Sequence, residues 1–184
     1  SEAEYLKTYA QAEGGFVALA LAGGQMVGAA TALPLGQEVP ELQQPFRDSP
    51  EFNVSDVLYI GEVLLRPGYR GKGAGGQLLR LCEAHAAQLG LGTAAFAVVV
   101  RPEDHPKKPA DYQGNGAIWQ KRGYTERPDL TGALTWKKVG ENQETTKAMR
   151  FWVKNLHAAA LDTEELSHAA ESDFPLPENA AASE

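Results

Sequence analysis

Apolar and polar residues alternate with changing period along this chain, and the changes mark its elements. Residues 2–12 (EAEYLKTYAQA) predict a helix with Tyr5, Leu6 and Tyr9 on one face, stopped by Gly14-Gly15. Phe16 to Leu21 predicts a strand, Gly23-Gly24 a hairpin turn, and Met26 to Leu35 the returning strand. So short a loop makes the pair antiparallel. Residues 36–56 hold three prolines and many polar residues, predicting a short helix near Pro40–Phe46 in an irregular surface segment. Val57 to Ile60 and Val63 to Leu65 read as a strand covered on both faces. After Arg66-Pro67-Gly68 and a glycine cluster, a helical pattern runs from Gln77 to about Leu89. Ala94 to Val100 is a second apolar strand, so strand, helix and strand predict a right-handed unit with parallel strands. Residues 101–114 predict a Pro-rich loop and residues 115–122 a short helix ended by Gly123-Tyr124. Residues 134–139 and 147–154 predict two closing, paired strands, and a short helix is expected around 163–170.

The chemistry concentrates in Gly61–Leu79, GEVLLRPGYRGKGAGGQLL. Gly71, Gly73, Gly75 and Gly76 fall within six residues between a strand and a helix. Glycines let backbone N–H groups approach a ligand closely. A helix N-terminus adds unpaired donors and a positive dipole end. With Arg70 and Lys72 this makes an anion cradle suited to phosphate or pyrophosphate. Gly71-x-Gly73-x-x-Gly76 formally matches a dinucleotide fingerprint. However, the arm Arg66 to Arg70 separates it from the strand, and too few strand–helix units follow. No Gly-Lys-Ser/Thr closes the run, which excludes a P-loop.

Arg70-Gly71-Lys72-Gly73-Ala74-Gly75, preceded by the arm Leu65-Arg66-Pro67-Gly68-Tyr69, resembles the donor-binding signature of the GNAT (GCN5-related) N-acetyltransferase superfamily. NGAIWQKRGY is similar to the late helix of that family, and the likeness covers roughly residues 16–156. It implies an α/β fold with a mixed central sheet and acetyl-CoA as cosubstrate. Only about 15 residues precede the hairpin, too few for the strand and two helices the family usually places there, so either the first strand is missing, as is expected here, or the N-terminus is incomplete. The expected organisation is a GNAT-like domain over residues 1–156 and an acidic, Ala-rich tail over 157–184.

The resemblance also implies roles. The backbone of Gly71, Lys72, Gly73, Ala74, Gly75 and Gly76, with the Arg70 side chain, would hold the CoA pyrophosphate. The backbone of Val63, Leu64 and Leu65 would bond the pantetheine, with one N–H facing the thioester oxygen. An amine of pKa about 10.4 is only about 0.04% neutral at pH 7, so a base is needed. Glu62, mid-strand in an apolar run, is the candidate, with a raised pKa expected from burial; the alternative is a Glu facing solvent or pairing with Arg70 or Arg101. The family's late-helix tyrosine, which protonates the leaving thiolate, aligns with Trp119, which cannot act as an acid. Tyr112 is the nearest substitute, and a thiolate able to leave unaided is the alternative. His105, in the long loop, is a secondary base candidate.

Charge narrows the partners. The net charge is −7, and residues 157–184 carry seven acids and no Lys or Arg. The rest is neutral, with no basic surplus for nucleic acid. No apolar run is long enough to span a membrane and no signal-peptide pattern opens the chain, so a cytoplasmic protein is expected. Cys82, the only cysteine, excludes an internal disulfide and reads as a core residue. His85, His105, His157 and His168 show no metal-ligand spacing, so no metal is expected. The expected function is acetyl transfer from acetyl-CoA to a primary amine of a small molecule, peptide or protein, the alternative being a non-catalytic acyl-CoA-binding module. Acceptor choice would lie in residues 36–56 and 101–114. A missing first strand would leave a sheet edge that a second copy could cover as a homodimer.

Overall fold

A computed structural model describes residues 7, 9–101, 114–137 and 142–157. Residues 9–11 are helical and lead into an antiparallel hairpin of β1 (Phe16–Ala22) and β2 (Gln25–Pro34). Gly23 and Gly24 make its turn, both at positive φ (54° and 74°), which side chains with a Cβ resist. A 3-10 turn at Leu35–Gln37 and helix α1 (Pro40–Arg47) follow. Pro40 opens α1, where its missing N–H costs nothing. A second 3-10 turn (Val54–Asp56) enters β3 (Val57–Leu65). Then come a 3-10 turn at Pro67–Tyr69, the long helix α2 (Ala74–Gln88) and β4 (Thr93–Val99). Helix α3 (Gly116–Lys121) and strands β5 (Thr125–Trp136) and β6 (Thr145–Asn155) complete the described chain.

The six strands form one sheet in the order β1-β2-β3-β4-β6-β5. Only β3 and β4, joined through α2, are parallel. The α/β fold with a mixed central sheet is as the sequence predicts. Among the described residues no strand precedes β1, which forms one edge.

Each sheet face buries its own core. Ala18, Ala30, Ala32, Leu58, Ile60 and Phe96 pack with Leu78, Leu79 and Cys82 of α2 on one face. Val57, Tyr59, Ala95 and Phe151 pack with Leu42 and Phe46 of α1 on the other. Residues 36–56 are therefore more ordered than their composition predicts. Arg127 of β5 ties their end down, bonding Glu51 at 2.9 Å and Asp129 at 2.6 Å and lying 5.0 Å from the Phe52 ring centre.

Two expectations need correction. Val57 to Ile60 are buried, but Val63 and Leu64 are 38% and 58% exposed, so β3 is covered on both faces only in its first half. The reason is that β3 pairs with β4 only from Val57 to Tyr59. The first closing strand begins at Thr125, nine residues earlier than predicted. Pro128 hides that half, since proline cannot donate to a ladder. The structure accommodates it by a register shift between Arg127 and Thr131 on an edge strand. The predicted helix at 163–170 and nearly all of the acidic tail lie outside the described residues.

One buried polar hub fixes α2. Glu83, 2% exposed, accepts from the Tyr124 hydroxyl at 2.9 Å and from Lys154 Nζ at 2.8 Å. Burial, then the Glu83 charge, pushes the Tyr124 phenol well above its usual pKa. The same two causes push Cys82 up to about 12, so it is an inert core thiol as its sequence position predicts. Glu83→Ala would strand the Lys154 ammonium and the Tyr124 hydroxyl together. It is expected to cost about 3–5 kcal/mol in urea denaturation, against about 1 kcal/mol for Tyr124→Phe.

Candidate active site

The parting of β3 from β4 creates the site. Beyond Tyr59 and Ala95 the two parallel strands no longer pair, although β3 continues to Leu65 and β4 to Val99. Between them lies a wedge whose β3 side has no strand partner among the described residues, leaving backbone that a ligand carrying amides could pair with. On its other edge β3 stays paired with β2 as far as Leu65 and Gly28.

A bulge sits where the wedge opens. Ile60 pairs with Ala32 and Glu62 with Thr31, so Gly61 has no partner. A Cβ on Gly61 would lie 2.2 Å from the hydroxyl of Tyr9. Tyr9 is fully buried there and donates its hydroxyl hydrogen bond to Glu38. The close approach explains the glycine, and the bulge re-aims the residue after it. That residue is Glu62, half-buried, with no hydrogen bond or ion pair among the described residues. The alternatives of pairing with Arg70 or Arg101 are not what the structure shows. Burial alone raises the Glu62 pKa above its ordinary value.

At the far end of β3 the arm turns through Pro67–Tyr69, and Tyr69 is buried beneath it. Arg70 Nε donates to Leu65 O at 3.0 Å, which anchors its guanidinium beside the strand end. Gly71 and Gly73 follow at φ +75° and +90°, with open space where a Cβ would stand. Gly76 N and Gln77 N both bond to Gly73 O, at 2.9 and 3.1 Å. The N–H groups of Gly71, Lys72, Gly73, Ala74 and Gly75 have no backbone acceptor among the described residues. Five successive donors without backbone acceptors at the positive end of a 15-residue helix are an arrangement that suits an anion.

Arg122, just after α3, is an addition that sequence reasoning missed. Its guanidinium lies against Gly76, where a Cβ would come within 1.8 Å of it. It brings a third cation to the first turn of α2. The only signal was its place directly before Gly123-Tyr124, and nothing in the sequence pairs that place with Gly76.

The structure thus brings Glu62, Val63, Leu64, Leu65 and the cradle onto one strand–arm–helix unit. It does not extend that to every candidate. Tyr112 and His105 lie outside the described residues. Trp119 packs edge-on against Phe96 at 4.9 Å and Trp152 at 5.1 Å. It serves as a core aromatic there. No group of three or more metal-ligating side chains occurs among the described residues.

Comparison with known proteins agrees with this geometry. The family model described as Acetyltransferase (GNAT) family matches residues 1–108, more than half of the chain. The chain belongs to the GNAT acetyltransferase family. No curated protein matches its sequence significantly. Among solved structures it is similar to a ribosomal-protein-alanine N-acetyltransferase from Brucella melitensis, with 21% identity and a TM-score of 0.50 over 84% of this chain and 76% of that one. It is similar to an IAA acetyltransferase from Bacillus cereus, with 17% identity and a TM-score of 0.50 over 83% and 84%. A GNAT family acetyltransferase from Elizabethkingia anophelis with acetyl-CoA bound has 15% identity and a TM-score of 0.51 over 83% and 82%. At these identities the likeness is one of fold.

The two kinds of glycine in the cradle are separable by substitution. Gly73→Ala forces an alanine to φ +90° and is expected to cost about 1–2 kcal/mol. Gly75→Ala meets only Leu65, at an ordinary 3.4 Å, and should leave stability unchanged or slightly raised. Thermal denaturation of the two variants checks the contrast.

Proposed function

We propose that the protein is an acetyl-CoA-dependent N-acetyltransferase acting on the primary amine of a small molecule, peptide or protein. One observation carries the reading. A single continuous unit, Gly61 to Gly76, holds both a half-buried carboxylate and a row of backbone donors, neither with a partner among the described residues. The residues fit the donor molecule. The φ-positive glycines leave room for a pyrophosphate, five N–H groups without backbone acceptors are free to bond it, and Arg70 and Lys72 would offset its charge. The unpaired edge of β3 through Val63, Leu64 and Leu65 matches the amides of a pantetheine. Acetyl-CoA, when bound, supplies the activated acyl group as a thioester.

The protein's own contribution is positional and acid–base. The cradle and wedge hold the donor so that amine and acyl carbon meet in one orientation. Glu62 takes the proton from the amine. Its raised pKa keeps it basic enough to compete for that proton. Tyr112 is assigned the return of a proton to the leaving sulfur. The reading also includes a cytoplasmic location, which an inert, buried Cys82 suits, and a homodimer formed over the β1 edge. No helix among the described residues is long and apolar enough to cross a membrane.

A second reading, a non-catalytic acyl-CoA-binding module, is favoured by Trp119, which fills the position of the family's tyrosine acid and is committed to packing. One variant distinguishes the two. Glu62→Gln should lower kcat/KM about 10²–10⁴-fold in a free-thiol assay over a panel of amines, while acetyl-CoA affinity by calorimetry stays within about twofold. Glu62 works only when ionised, so activity should fall as pH drops through its pKa. That limb should lie above the ordinary value of 4.5 and vanish in the variant. Acetyl-CoA binding with no thiol release from any amine would select the binding module instead.

A further inference from the structure

We infer that Thr31 is a positioning residue for Glu62, and that its hydroxyl and the Glu62 carboxylate together hold the water through which the acceptor's proton travels. The inference rests on the acetyltransferase reading above.

Three observations meet at this pair. Thr31 is 1% exposed, and its Oγ1 has no hydrogen-bond partner among the described residues. Buried hydroxyls left in that state are rare, and those found mark a site with a missing partner. Second, the hydroxyl is out of keeping with its strand. Gly28 to Pro34 reads GAATALP, and Thr31 is its only side chain with a polar group. A valine has nearly the same shape and would satisfy the packing without that unpaired group. Third, the bulge puts Glu62 directly across from Thr31. Without the extra residue at Gly61, Thr31 would face Gly61 and Glu62 would point to the α2 side, with Ala30 and Ala32. Directly opposed residues carry their Cβ atoms about 4.5–5.5 Å apart on one face.

The other neighbours offer no substitute. Val17 of β1 lies on the far side of Thr31 in the same row. Neither β1 nor β2 carries a charged residue. Titratable groups on this face among the described residues include Tyr9, Glu38, which accepts from it, Tyr59 of β3, Glu41, Arg47 and Asp48 of α1 and its end, and Arg127 of β5 over Phe52. None of them shifts Glu62, whose pKa is raised by burial alone. A water between hydroxyl and carboxylate satisfies the first and orients the second. In the step it serves, the ammonium gives one proton to the water and the water gives one of its own to the carboxylate. The products are a neutral amine, a water and a carboxylic acid.

The test uses Thr31→Val, Thr31→Ser and Thr31→Ala in the full chain, with Glu62→Gln alongside. The Glu62 carboxyl is followed by 13C NMR titration, which needs no acceptor. Kinetics use whichever amine the thiol-release panel identifies. Thr31→Val and Thr31→Ala should raise the Glu62 midpoint and move the acid limb of kcat/KM up by the same amount. They should lower kcat about tenfold, the equivalent of one hydrogen bond, with KM for acetyl-CoA unchanged. Thr31→Ser should restore both midpoint and rate. A Glu62 midpoint indifferent to Thr31→Val and Thr31→Ala, in variants with an unchanged melting temperature, overturns the inference. So does a Thr31→Ser variant as impaired as Thr31→Val. A shifted midpoint with full activity retained in Glu62→Gln supports the coupling of the two residues but overturns the proton path and, with it, Glu62 as base.

Discussion

The site depends on β3 leaving its parallel partner after Tyr59. A strand edge inside a sheet is costly to leave open, because its N–H and C=O groups lose partners. Here the opening is held from outside. On one side β2 keeps β3 in register to Leu65, and on the other β6 runs beside β4 as far as Val99. Each strand is thus fixed by its other neighbour while the pair diverges. The wedge is a property of the whole sheet order, in which a crossover helix sits between the only two parallel strands among the described residues. A ligand that offers amide groups can complete the edge, and a water-filled gap cannot do so as specifically.

The position of α2 follows from the same arrangement. Its first turn must meet the mouth of the wedge, and three contacts set its place. Leu78, Leu79 and Cys82 press on the sheet. Glu83 is bonded to Tyr124, at the end of the segment carrying α3, and to Lys154 of β6. Arg122 lies against Gly76. The buried carboxylate alone would oppose folding, but with a cation and a hydroxyl as partners it specifies one orientation. The free donors of Gly71 to Gly75 are thereby aimed by groups two turns further along the helix.

Most of this was legible in the sequence because local signals agreed. Glycine pairs marked the turns, apolar runs marked β3 and β4, and the Arg70–Gly75 motif marked the cradle before any fold was known. What could not be read depends on pairing at long range. The exposure of Val63 and Leu64 follows from where β4 stops pairing, and an apolar run looks the same whether its neighbour is a strand or a ligand. The first half of β5 was hidden by Pro128. Arg122 and Thr31 carry only weak local signals, a place before Gly123-Tyr124 and one polar side chain in an apolar strand. One matters because of Gly76 and the other because of Glu62, and each relation is created by the fold.

In the proposed reading, the bulge at Gly61 links donor binding to amine activation. Glu62 is one residue from Val63, where the open edge meets the pantetheine in this reading. Any shift of β3 along β2 would therefore move the base and the donor's binding edge together. A one-residue slip in register would also exchange the two faces of the strand, putting Glu62 among the alanines over α2. Gly61 guards against both, because the buried Tyr9 ring occupies the space its side chain would need. Tyr9 is in turn held by Glu38, in the segment that leads from β2 to α1. The Glu62 carboxylate is thus oriented by an aromatic ring behind the bulge and a register in front of it.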